Sequence, residues 1–138
     1  MRKITKSLTA LLLVAIMCMT SITTVFAAEG SPSPRLSHMS DGSFAFSATA
    51  NGGHVDCTYY GYDSFVRADI TITLEKRYLL VFWEDMGEWS ASSTVIDGEF
   101  YHTFPLDGEG MYRANFTLII TGNDGTTDVI TDTIKSKY

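Results

Sequence analysis

From residue 43 onward, apolar and polar residues take turns along most of this chain, and the alternation breaks at Gly, Asn and Asp. A period of two predicts strands joined by turns, and no segment carries a convincing helical spacing. In "SFAFSATA", Phe44, Phe46, Ala48 and Ala50 share one face, with Ser43, Ser47 and Thr49 opposite. "NGG" at 51–53 predicts a hairpin, because Asn and Gly tolerate the positive φ of primed turns. "HVDCTYYGY" then sets Val55, Cys57, Tyr59 and Gly61 against His54, Asp56, Thr58, Tyr60 and Tyr62. "ADITITLEK" is the cleanest strand, with Ala68, Ile70, Ile72 and Leu74 inward. "GEFYHTFPL" reads as a strand ended by Pro105. "GMYRANFTLII" puts Tyr112, Ala114, Phe116, Leu118 and Ile120 on one side, and "TDVITDTIKSKY" is the last strand, after the turn "TGNDGT". About seven short strands spaced roughly a dozen residues apart predict an all-β fold: a single immunoglobulin-like Greek-key β-sandwich.

One segment departs from the pattern. "RYLLVFWEDMGEW", Arg77 to Trp89, carries Tyr78, Leu79, Leu80, Val81 and Phe82 in an unbroken apolar run. Continuity of hydrophobicity favours strands that extend and fold these side chains into the core. The other reading is a hairpin connection whose apolar residues form a surface patch for a partner. Trp83 and Trp89 are six residues apart, so an unbroken strand turns both to the same side, with Asp85 and Gly87 between them. Two coplanar Trp rings beside carboxylates suit a glycan-binding face. The alternative is a Trp that plugs the sandwich core, and Gly87 offers a point where the strand bends and the rings separate.

The segment "DGEGMYRA" resembles a tyrosine corner, in which a Tyr near the start of a late strand bonds back to the turn before it. Tyr112 is the residue in question, although the chain holds one residue more than the motif between Asp107 and Tyr112.

The N-terminus changes the charge balance. Arg2, Lys3 and Lys6 precede the mainly apolar run "LTALLLVAIMCM", and "TTVFAAEG" follows with small residues for cleavage after Ala27. Residues 1–27 therefore read as a cleaved signal peptide, 28–40 as a flexible Ser- and Pro-rich lead-in, and 41–138 as the β-sandwich domain. The whole chain has 10 basic and 16 acidic residues, and the leader holds three basic ones and no acid. The mature part thus keeps 7 basic and 16 acidic residues, a net of −9 over 111 residues. Such a balance argues against nucleic acid and against a membrane partner after cleavage. With Cys18 removed, Cys57 is alone, so no internal disulfide supports the fold and the core must.

The order "PRLSHMS", "GGHVDCTY", "ITITLEK", a Trp pair with five residues between its members, "GMYRANFTLI" and a terminal Lys-Tyr resembles a family of small secreted β-sandwich proteins from clostridial-type Gram-positive bacteria. The resemblance spans essentially the whole mature chain. It implies a sandwich outside the cell and no assigned activity. Where that family usually has a polar Gly/Ser turn between Lys76 and Trp83, this chain reads "RYLLVF".

Catalytic chemistry is thinly represented. His38, His54 and His102 lie on separate segments without metal-ligand spacing, and Cys57 faces inward by its alternation. Glu84, Asp85 and Glu88 offer paired carboxylates, but clustering is ordinary among 16 acids. The expectation is a secreted, non-enzymatic binding module without cofactor or metal, whose partner is an extracellular protein or glycan. Its candidate contact residues are Tyr78, Leu80, Phe82, Trp83, Asp85 and Trp89. The alternative is a structural or accessory protein of the cell envelope without a discrete site.

Overall fold

A computed structural model of the protein describes residues 35–138; the expected leader and the first part of the lead-in lie outside the described residues. The described chain is all-β, without helix, and folds as two antiparallel sheets. The strands are β1 (Met39–Thr49), β2 (Gly52–Gly61), β3 (Phe65–Tyr78), β4 (Phe82–Ser93), β5 (Asp97–Phe104), β6 (Met111–Gly122) and β7 (Thr127–Lys137). One sheet has the order β1-β2-β5 and the other β4-β3-β6-β7. Each predicted strand is present. β1 starts at Met39, two residues inside the expected lead-in, because Met39 is an apolar core residue with a fully buried side chain.

The period-two pattern decides which residues go inside. Ala68, Ile70, Ile72 and Leu74 of β3 pair with Ile120, Leu118, Phe116 and Ala114 of β6, and all eight are buried. Val55, Cys57 and Tyr59 of β2 face them from the other sheet, in one shared apolar cluster. The Phe44 and Phe116 rings meet across the interior at 4.9 Å. Tyr59 lies between Phe65 and Phe100, with centroids at 5.8 and 5.6 Å, and its hydroxyl donates to the Val95 carbonyl at 2.7 Å. Gly98 is needed at this point: a Cβ there would lie 2.4 Å from the Tyr59 Oη.

Buried polar groups at the margins are satisfied. Tyr112 is fully buried, and its hydroxyl donates to the carbonyl of Gly108, four residues earlier, at 2.7 Å. This bond fixes the β5–β6 connection against the sandwich. At the opposite end, Asp128 accepts from the backbone N–H groups of Ser37 and His38, which fastens the segment before β1 to β7.

Replacing Tyr112 with Phe removes one hydroxyl and leaves the Gly108 carbonyl short of a donor, a loss of about 1 kcal/mol. Urea unfolding should show a lower midpoint at unchanged slope. An unchanged midpoint would mean that the loop does not depend on this bond.

Candidate functional site

The apolar run at 78–82 is a hairpin tip. β3 ends at Tyr78, β4 begins at Phe82, and those two residues are partners in the ladder. Tyr78, Leu79, Leu80, Val81 and Phe82 are all exposed, Leu80 the most at 79%. The extended-core expectation is corrected here. A buried strand would need a sheet neighbour on each face, and the ladder instead runs out at the Tyr78–Phe82 pair and turns into solvent.

The tip is also strained. Leu79 and Leu80 have φ values of 47° and 69°, the non-glycine residues with positive φ among the described ones. The Val81 N–H donates to the Leu79 carbonyl at 2.9 Å, which closes a three-residue turn centred on Leu80. A γ-turn with positive φ at its centre is rare for an L-residue, and each such conformation costs of order 1–3 kcal/mol. Neither leucine recovers that cost by burial within this chain.

The two Trp side chains end on opposite faces of the sheet. Going back from Trp89, Gly87 pairs with Leu74, but the next ladder pair is Asp85 with Glu75, so Met86 is an extra residue. Gly87, at a φ of 141°, allows this bulge. One inserted residue exchanges the two faces of a strand. Trp89 therefore turns inward, stacked flat on His102 at 4.7 Å and edge-on to Phe100. Trp83 turns outward, where the Arg113 guanidinium lies 4.2 Å above its ring and the Lys135 ammonium 5.8 Å from it. The coplanar Trp pair expected of a glycan platform is absent, since Met86 shifts the alternation by one.

Of the six candidate residues, Tyr78, Leu80 and Phe82 form the tip and Trp83 lies just behind it on the outer face. Asp85 follows on that same face, and its carboxylate caps the Gly87 N–H at 2.9 Å. Trp89 does not join them. Behind Trp83, Glu75 accepts from Arg113 and from Asn115, and the Arg113 contact holds its carboxyl below the usual range. This pair positions the guanidinium over the Trp83 ring.

A second grouping has no counterpart in the sequence pattern. His38, 3% exposed, approaches the Ser64 Oγ with Nδ1 at 2.9 Å and the Thr126 Oγ1 with Nε2 at 2.7 Å. Asp124 Oδ1 lies 3.4 Å from the same Nε2. Ser, His and Asp are thus close, but the ring lies against Gly122, where an added Cβ would come within 2.1 Å of it. Both ring nitrogens are engaged by hydroxyls of the loops, and the group joins the segment before β1 to the β2–β3 and β6–β7 turns. Positions 38, 64 and 124–126 are brought together by topology alone, so no local sequence signal announces them.

Cys57 is fully buried, and burial first, then the nearby Asp56 charge, pushes its thiol up to about 12. On the outer face of the small sheet, the Glu99 carboxyl is raised by its hydrogen bond to Asp56, which lies diagonally across the β2–β5 ladder with a two-residue offset. No enclosed pocket opens among the described residues, and no three of their His, Cys, Asp or Glu side chains converge as metal ligands would. Compared with protein-family models, curated proteins and solved structures, the chain matches none.

Two outcomes follow from this geometry. Leu80→Gly should stabilise the domain by about 1 kcal/mol, since it relieves the positive φ and loses no buried contact. Thermal unfolding would then shift upward by roughly 4–8 °C; a lower midpoint would mean that Leu80 packs where the geometry leaves it in water. Cys57 should resist a thiol reagent at pH 8 in the native protein and react at once in denaturant. Fast labelling of the folded protein would contradict its burial.

Proposed function

We propose that this protein is a secreted, non-enzymatic interaction module whose β-sandwich holds out the β3–β4 hairpin tip as its contact element. The observation that carries this reading is the tip itself: five consecutive exposed apolar residues held by a turn with two leucines at positive φ. Apolar surface of this kind marks contact sites on proteins that are otherwise charged and soluble. Strain persists where the surrounding structure imposes it, and it gathers at ligand-contact and switch segments. Moving each of these side chains out of water into an apolar partner returns up to about 1.5–3 kcal/mol.

The scaffold fits the role. The strand order β1-β2-β5 against β4-β3-β6-β7 and the Tyr112-to-Gly108 bond support an immunoglobulin-like Greek-key sandwich, an architecture that presents variable loops from a rigid body. The leader-like first 27 residues support export, in keeping with the small secreted sandwich proteins that the sequence resembles. Bulge-induced separation of Trp83 from Trp89 weighs toward an apolar contact over sugar stacking.

The experiment is a comparison of the wild type with Leu80→Asp, each labelled at its N-terminal amine, sedimented with the cells that produce the protein. The variant should keep the wild-type unfolding midpoint, because its side chain sits in water, and should lose cell association by about ten-fold or more. Equal association by both proteins would favour an envelope component without a discrete site.

A further inference from the structure

The hairpin end of the sandwich is charged differently from the rest of it. Seven Lys and Arg residues lie between positions 35 and 138, and five of them, Lys76, Arg77, Arg113, Lys135 and Lys137, come to this one end. The register requires it: Arg77 is opposite Trp83, Glu75 opposite Arg113, Arg113 opposite Lys135, and Met111 opposite Lys137. Only Arg35 and Arg67 remain elsewhere, among most of the acidic residues. Glu75, Glu84, Asp85, Asp107 and Glu109 share this end, so it is balanced rather than negative, and on the outer face Arg77, Arg113, Lys135 and Lys137 outnumber Glu75 and Asp85.

We propose that residues 78–82 insert into the interfacial region of an anionic phospholipid bilayer, with Arg77, Lys135 and Lys137 meeting the headgroup phosphates. This rests on the reading that the hairpin tip is the contact element, and it names the partner.

Depth ordering carries the argument. Leu79, Leu80 and Val81 form the apex, and Tyr78, Phe82 and Trp83 form the next layer. On the outer face of the large sheet Arg77 lies level with Trp83, and Arg113 and Lys135 lie two positions further from the apex. An apolar apex backed by aromatic rings and cations matches the order from acyl chains to interface and headgroups in a membrane. Leucine, valine and phenylalanine have no polar atom that a protein partner would need to satisfy, and a projecting tip needs a groove in a protein but none in a fluid bilayer. Arg77, Lys135 and Lys137 make no ion pair among the described residues, so their charge is available to a phosphate.

The acidic residues at this end fix the angle of approach. Glu75 is bound by Arg113, and Asp85 caps the Gly87 N–H. Glu84 is opposite Lys76, whose ammonium reaches the Asp107 carbonyl beside Glu109, on the side facing the small sheet. The molecule thus leans so that the outer face of β4-β3-β6-β7, with Trp83 and the free cations, is nearest the lipid.

The test is flotation of the protein with extruded vesicles of phosphatidylcholine and phosphatidylglycerol at three to one, alongside vesicles of phosphatidylcholine alone. Saturable binding to the mixed vesicles is expected, with a blue shift of Trp fluorescence from Trp83. Binding should weaken about ten-fold or more with Leu80→Asp, which removes the apolar apex. It should also weaken when Arg77, Lys135 and Lys137 are changed together to Gln, and as salt rises from about 0.05 to 0.5 M, because surface charges are then screened. No binding to the mixed vesicles, or binding indifferent to Leu80→Asp, overturns the proposal. If vesicle binding is absent while Leu80→Asp still abolishes cell association, a protein partner occupies the tip and only the bilayer is wrong. If sedimentation velocity finds a dimer that Leu80→Asp dissolves, a second copy is the occupant and the bilayer is again wrong. Loss of both effects overturns the contact reading as well.

Discussion

Two central strands, β3 and β6, are hydrogen-bonded on both edges and bury one face each, and every other placement in the molecule is measured from them. Their inward residues form a continuous apolar surface from Ala68 to Leu74 and from Tyr112 to Ile120, against Val55, Cys57 and Tyr59 of β2. Because side chains alternate, burying one set of this pair puts the other set in water without further choice. Asp69, Thr71, Thr73 and Glu75 follow as the outer face of the large sheet, and Arg113, Asn115 and Thr117 as their neighbours. Among the described residues Cys57 is a free, buried thiol that acts as a small hydrophobe, so the packing of this interior is the main source of their stability.

Where the alternation is interrupted, surface chemistry begins. Met86 is inserted against the Leu74–Glu75 step, and the outer part of β4 is thereby rotated by one face. Trp83 is delivered to the outer surface and held beneath Arg113, which Glu75 holds in turn. The same strand pair then continues three to four residues beyond the buried face of the sheet and closes in a turn of leucines. A hairpin that only joined two strands would use Asn or Gly at positive φ; one that carries Leu79 and Leu80 there keeps apolar surface exposed at a cost in backbone energy.

Much of this is legible in the residues. The nine positions of "ADITITLEK" and the eleven of "GMYRANFTLII" alternate so regularly that a strand with one buried face is the economical solution, and the Tyr112 bond is foreshadowed by the turn residues before it. The hairpin is harder to read, because hydrophobicity alone does not distinguish a strand buried on both faces from a turn lifted clear of the sheet. Gly87 marks a point where the strand can bend, but nothing in the residues fixes Met86 as the inserted one, so the relation of Trp83 to Trp89 depends on the register of the ladder. The cluster of His38, Ser64, Asp124 and Thr126 and the gathering of five cations at one end are products of topology, joining positions up to 88 residues apart.

The hierarchy of order, rigid in the central strands and open at the hairpin, is most directly measured by native-state amide hydrogen exchange resolved by residue. The account predicts that Ile70, Ile72, Phe116 and Leu118 exchange only through global unfolding, while the Leu79 and Leu80 amides exchange orders of magnitude faster. Protection at Leu79 and Leu80 equal to that of the central strands, or central amides exchanging at the rate of the turns, would contradict it.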